Sequence, residues 1–227
     1  MKTKNQIQIC ALQGSPRGMK SRTRKLVRFV LSGAEEEGAD TELLDLHDRK
    51  IEACTACDAC ALTGKCVFDD DFLSIVQMMR LSDGIVLGSP VYIDNVSGQM
   101  KIFVDRLADS IHYQVLTGKY GCAVATTGSS GGEEVVSYLN HVINYLGAQA
   151  LPGMWVALED DEQAIYGSEE RARQLGRNLV RAISAGTRFP EQLRIIEENR
   201  AFFASIVTAN SEWRREEYDE WVKRGWI

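Results

Sequence analysis

Five short apolar runs recur along the first three quarters of the chain, at residues 7–12, 41–46, 84–90, 120–126 and 149–158. Each is nearly continuous in apolar residues, as strands buried on both faces are. Between and after them, segments 21–37, 70–81, 97–110, 133–146 and 168–185 carry apolar residues at helical spacing. Strands alternating with helices of this length form βαβ units, so the expected fold is α/β, a parallel sheet covered by helices on both faces. Ser21 and Thr23 suit the opening of the first helix, and Gly33 and Gly38 loosen its end. The carboxylates of Asp69, Asp70 and Asp71 complement the dipole at the start of the second helix.

A chain of 227 residues fits one such domain with an appendage. The formal net charge of -6 argues against a nucleic-acid partner, which wants a basic surface. No stretch approaches the roughly 20 apolar residues of a membrane span, and the first residues lead into a strand without a signal-peptide core, so a cytoplasmic protein is expected. Of the six cysteines, Cys10 and Cys122 sit inside strand patterns and read as small core residues.

The other four cysteines, Cys54, Cys57, Cys60 and Cys66, form a C-x2-C-x2-C-x5-C run within thirteen residues. Thiols gathered this closely hold a metal or do redox chemistry. Structural zinc commonly takes two separated ligand pairs, whereas three closely spaced cysteines with a fourth nearby can complete a [4Fe-4S] cluster. Free or disulfide-forming thiols and a zinc staple are the alternatives.

Three loops, after the first, third and fourth strands, have compositions suited to a ligand. In an open parallel sheet, ligands bind at the carboxyl ends of the strands where the strand order reverses. The first loop has Gly14, Ser15, Pro16 and Arg17, then Ser21 and Thr23 opening a helix. Small residues, a helix N-terminus, hydroxyls and a guanidinium make a phosphate cradle. The second has Pro90, which stiffens the exit from the third strand, and Tyr92, an aromatic ring for a planar ligand. The third presents Thr127, Gly128, Ser129 and Ser130, whose backbone N–H groups can meet a heteroaromatic rim. Neither the nucleotide P-loop pattern nor G-x-G-x-x-G is present.

Taken together, "GSPRGMKSRT", "SPVY…SGQMKIFVDR" and "TTGSSGG" over about residues 6–160 resemble the NADPH-dependent FMN reductase and iron–sulfur flavoprotein group of the flavodoxin-like superfamily. The resemblance implies a doubly wound five-stranded parallel sheet of order 2-1-3-4-5 and non-covalent FMN. It assigns Ser15, Arg17, Ser21 and Thr23 to the phosphate, with Pro16 in the same loop. Pro90, Val91, Tyr92 and Asn95 would line the ribityl chain and ring, with Thr127, Gly128 and Gly132 nearby. Arg22 stands where relatives often carry a small polar residue. The cysteine run, within residues 47–68, resembles the cluster motif of iron–sulfur flavoproteins in full.

The implied function is an electron-transfer flavoprotein, with a ferredoxin-type one-electron donor and a small-molecule acceptor. Relatives of this group form homodimers or homotetramers, in which a cluster lies near the FMN of another subunit. The alternative is an NAD(P)H-dependent FMN or quinone reductase with structural or redox-active cysteines, and a third reading is a zinc-stapled interaction module. No acid–base residue is nominated, because the flavin and cluster would carry the chemistry; His47, His112 and His141 read as incidental. From residue 187 the pattern changes to a helical extension, 187–227, holding three of the four tryptophans. It reads as an oligomer contact or a cap, and apolar helix faces of this kind mostly pack on the body.

Overall fold

The computed structural model describes residues 6–159, 161 and 163–227; the start of the chain that was read for a leader lies outside them. Strand β1 (Gln8–Gln13) leads to helix α1 (Arg22–Glu36), and β2 (Asp40–Asp45) to the cysteine loop with its short helix α2 (Ala59–Thr63). Helix α3 (Phe72–Leu81) precedes β3 (Gly84–Pro90), α4 (Gly98–Asp105) and α5 (Ala108–His112). Then follow β4 (Tyr120–Thr127), α6 (Gly132–Tyr145), β5 (Gln149–Ala150), β6 (Met154–Ala157), α7 (Ala164–Gly167) and α8 (Glu169–Ala185). The extension is α9 (Pro190–Ala209) and α10 (Arg215–Lys223). All strand pairs are parallel, in the order β2-β1-β3-β4-β5, a flavodoxin-like arrangement.

The fifth apolar run is two short strands, not one. Pro152 has no N–H to give to a ladder, and Gly153 crosses so close to β4 that a Cβ there would lie 2.2 Å from the Ala123 carbonyl oxygen. Pairing passes from Gly121↔Ala150 to Val124↔Met154, so the run carries one extra residue, as at a bulge. The helix expected over 97–110 is likewise divided. Arg106 and Leu107 donate to the carbonyls of Phe103 and Val104, tightening the turn between α4 and α5.

Strands β3 and β4 are buried along their whole length. One apolar core lies under α3, α4 and α6, the other under α1 and α8. The two helices of the second core touch through glycine. A Cβ at Gly33 would fall 1.9 Å from the Arg173 carbonyl oxygen, and one at Gly176 would fall 1.8 Å from that of Val30. Gly33 therefore does not loosen α1; it lets α8 approach, and the helix runs on to Glu36. Gly38, at φ +84, is the residue that turns the chain after it.

Asp70 is also more than a helix-start carboxylate. It accepts from the backbone N–H groups of Phe72 and Glu52 and pairs with Arg106, while Asp71 accepts from Lys50. Cys10 and Cys122 are core residues, and burial raises both thiol pKa values, that of Cys122 to about 12. The extension packs on the body: Trp221 is fully buried with Phe203 and Val207, and α10 lies against α2. Among the described residues, no helix is long and apolar enough to cross a membrane.

Candidate functional site

The loops after β1, β3 and β4 meet at the carboxyl edge of the sheet, where strand order reverses between β1 and β3. They enclose a cleft of about 360 Å³. Its walls are Ser15, Arg17, Ser21, Arg22 and Thr23 from the first loop and α1, Pro90, Val91 and Tyr92 from the second, and Thr126, Thr127 and Gly128 from the third. Leu158 and Asp161, after β6, complete it. These two and Thr126 were not picked out from the sequence; only the pairing of β6 with β4 brings the chain after β6 to this edge.

The first loop is fixed by its neighbours. Gln13 accepts the Ser15 N–H at 2.7 Å, and the Ser97 hydroxyl donates to the Gly14 carbonyl at 2.5 Å. A Cβ at Gly14 would sit 2.7 Å from both Met100 Cβ and Ser97 Oγ, so glycine is needed where this loop crosses α4. Ser21 caps α1 by accepting the Arg24 N–H at 3.0 Å, and Ser15 Oγ accepts that of Arg17 at 3.3 Å. In each case the hydroxyl proton remains for an anion, beside the free N–H groups of the helix start. Thr23 and Thr126 join their hydroxyls at 2.6 Å. Arg17 is exposed and forms no ion pair among the described residues.

Four of the nominated residues lie outside the cleft lining. Asn95 and Tyr92 exchange backbone hydrogen bonds at 2.9 and 3.1 Å, closing a turn with Ile93 and Asp94 at φ +51 and +55. Asn95 therefore builds the turn that carries Tyr92, and its side chain accepts the Val96 N–H. Gly132 makes room for Trp155, whose ring lies 2.7 Å from where a Cβ would be. Pro16 and Ser129 are exposed at the outer bends of their loops. The cleft thus has a hydroxyl-and-guanidinium end and an end formed by Val91 and Tyr92. That donor set fits a ligand with a phosphate at one end and a planar ring at the other.

A second cavity, of about 220 Å³, lies beneath the cysteine loop. Cys54, Cys57, Cys60 and Cys66 all line it, with Phe68, Phe72 and Leu73, and all four thiols are free. The loop bends through Ala56 and Asp58, both at positive φ, +51 and +57. Residues other than glycine enter that region at a cost of about 1–3 kcal/mol, a strain concentrated at functional sites. The Ala56 N–H points to Cys54 Sγ at 3.5 Å. Burial, then the charges of Asp109 and Cys66, raises the pKa of the Cys60 thiol. Among the described residues no three His, Cys, Asp or Glu side chains converge tightly enough for a single metal ion. The thiols share a cavity without meeting at one point.

Charged residues behind the cavity tie it to the extension. Glu217 of α10, 1% exposed, accepts from Arg214 at 2.7 Å and meets His112 Nδ1 at 3.0 Å. His112 is therefore part of a buried contact. Burial, then Glu217, raises the Asp109 carboxyl to about 7, against the opposing pull of His112 and Arg214. For Glu217 itself, burial pushes the pKa upward, yet the hydrogen bonds from His112 and Arg214 win and hold it below the ordinary glutamate value. A lowered carboxylate pKa adds stability above the unfolded value, and that stability is lost as pH falls through the folded pKa. Glu217→Gln is expected to lower unfolding free energy by about 3 kcal/mol at pH 7. Urea unfolding of both proteins should show the gap shrinking as the pH falls below the ordinary glutamate range and closing only once it has passed the lowered folded pKa of Glu217; a gap that does not change with pH would contradict the pairing.

The sequence profile of the NADPH-dependent FMN reductases matches residues 7–163. The chain belongs to that family. It is accordingly a flavin-dependent oxidoreductase that binds FMN. Among individual proteins, an iron-sulfur flavoprotein of Archaeoglobus fulgidus is 29% identical over 94% of this chain and 97% of its own length. One from Methanocaldococcus jannaschii is 33% identical over 78% of this chain and 97% of its own. Of solved structures, the NAD(P)H:quinone oxidoreductase of Methanothermobacter marburgensis shares the fold, with a TM-score of 0.63 at 16% identity, over 77% of this chain and 96% of that one.

Proposed function

We propose that this FMN reductase family member is an electron-transfer flavoprotein in which Cys54, Cys57, Cys60 and Cys66 hold a [4Fe-4S] cluster. A ferredoxin-like protein would be its one-electron donor and a small molecule its acceptor. The observation that carries the reading is the gathering of four free thiols, from one strained loop, around one partly apolar cavity. The relatives' own naming as iron-sulfur flavoproteins supports it. A flavin exchanges one or two electrons and a cluster exchanges one, so together they can join a one-electron donor to a two-electron acceptor.

The protein's own part is binding and placement. Ser15, Ser21 and Arg17, with the start of α1, would hold the FMN phosphate, and Val91 and Tyr92 would flank the ring and keep water from one side of it. Arg17→Ala should weaken FMN binding about 10- to 100-fold, as loss of one charge-assisted contact does. Isothermal titration of apoprotein with FMN and with riboflavin checks this; the variant should bind riboflavin as the wild type does. An equal loss for both ligands would remove Arg17 from the phosphate.

We further propose a homodimer or homotetramer. The loops at the carboxyl edge of the sheet expose apolar side chains, Met19 at 78%, Ile93 at 98% and Val67 at 61%. A neighbouring copy of the chain would cover them, and light scattering at micromolar concentration tests it; a monomer contradicts it. The second reading, an NAD(P)H-dependent FMN or quinone reductase, is favoured by the family's own description. Steady NAD(P)H oxidation with a quinone, undiminished when Cys57 and Cys60 become serine, would establish that reading and remove the cluster from the function.

A further inference from the structure

We propose that Arg106 donates a hydrogen bond from Nε to the sulfur of the cysteine-held group, and that its fixed positive charge raises that group's reduction potential. The inference rests on the cluster reading above and adds a residue that none of the cysteine spacing identifies.

Arg106 and Asp70 form an ion pair at 2.8 Å, with both side chains 1% exposed. The guanidinium has five N–H donors in a rigid plane. Nη1 gives to the Glu52 carbonyl and to Asp70 Oδ2, each at 2.8 Å, and Nη2 gives to Asp70 Oδ1 at 3.3 Å. Phe72 and Phe68 pack over the guanidinium carbon at 4.5 and 4.9 Å from their ring centroids. The plane is thus held at one edge and packed by rings, and it cannot turn to find another acceptor.

Nε is the donor left over: it is buried and has no hydrogen-bond partner among the described residues. Arg106 also lines the cavity of the four cysteines, and its guanidinium interacts with the Cys66 side chain. A buried charged donor without an acceptor is costly, and such orphans call for an explanation. A thiolate of Cys66, or a sulfide held with it, is the acceptor this cavity offers.

If Arg106 served only to tie Asp70 to the Glu52 carbonyl, its Nη atoms would be enough and the buried Nε would stay unsatisfied. The charge arrangement points the same way. Asp70 neutralises the far edge of the guanidinium, while four anionic thiolates would face the near edge in a low-dielectric cavity. Adding one electron to such a group deepens its negative charge, and a donor aimed at sulfur stabilises the reduced form. Lysine would keep the charge but lose the planar fork.

The test is an anaerobic dithionite titration followed by electron paramagnetic resonance, with iron assayed in the same samples. Arg106→Lys should keep its iron while its midpoint falls by an amount equal to about a tenfold change in the oxidised-to-reduced ratio, about 59 mV for one electron. The double variant Asp70→Asn with Arg106→Gln, which leaves no unpaired buried carboxylate, should move in the same direction. Iron-loaded variants with the wild-type midpoint would make Arg106 a structural prop and overturn the proposal.

Should both variants fail to fold, wild-type protein carrying 15N-arginine decides the matter. Pulsed resonance on the reduced protein should show an arginine nitrogen coupled to the electron spin, and no coupling overturns the proposal. Wild-type protein without iron would instead sink the cluster reading beneath it, a distinct result.

Discussion

On the proposed cluster, replacing Cys57 and Cys60 together by serine is expected to take the protein from about four irons per chain to almost none while leaving FMN bound. Both side chains line the cavity of the cysteine loop, and a serine hydroxyl cannot replace a soft thiolate ligand for iron. The cleft proposed for FMN draws its walls from the loops after β1, β3, β4 and β6, and none from the cysteine loop. The two cofactors should therefore separate cleanly. Iron and FMN assays on variant and wild type, purified side by side without oxygen, give the answer. Equal iron in both would move the metal to other ligands, and joint loss of iron and FMN would mean that the two sites are not independent.

Gly176→Ala is expected to destabilise the fold by about 3 kcal/mol or more, at the upper end of overpacking effects. The added methyl would fall 1.8 Å from a backbone oxygen, that of Val30, and 2.8 Å from the Ala34 nitrogen. Backbone cannot step aside as a side-chain tip can, so α8 must move away from α1 along the whole second core. Gly167→Ala is the control, since nothing lies within 4 Å of a Cβ there and its φ is unstrained. Thermal unfolding should show a large drop in Tm for the first and little change for the second. Matching Tm values would mean that the two helices do not approach so closely.

The sheet and its order could be expected from the sequence because burial on both faces writes apolar runs, and because the three loops resemble those of a known family. What escaped was set by backbone approach between distant segments. Pro152 and Gly153 break an apolar run that looks continuous, and Gly33 looks like a helix-loosening residue until Arg173 is seen against it. Leu158 and Asp161 reach the cleft only because β6 pairs with β4. The family resemblance implies Asn95 and Gly132 as ligand contacts; in the structure one closes a turn and the other admits Trp155.

Side-chain pairing was the least legible. Asp70 looked like one of three helix-start carboxylates, and nothing near it in sequence marks Arg106 as its partner thirty-six residues away. His112, set aside as incidental, meets Glu217 across 105 residues. The extension's tryptophans signalled that something must be covered, and the structure answers for one of them: Trp221 fills the space between α9 and α10.

The central claim, that four thiols of one loop hold a cluster beside a flavin, is tested most directly on anaerobically purified protein. Its absorption spectrum would be recorded, and iron, sulfide, zinc and FMN measured on the same sample. The account predicts flavin bands over a broad shoulder near ~400 nm, with about four irons and four sulfides per chain. Flavin bands without iron would contradict it and leave the NAD(P)H-dependent reductase as the function; about one zinc per chain in place of iron would contradict it as well.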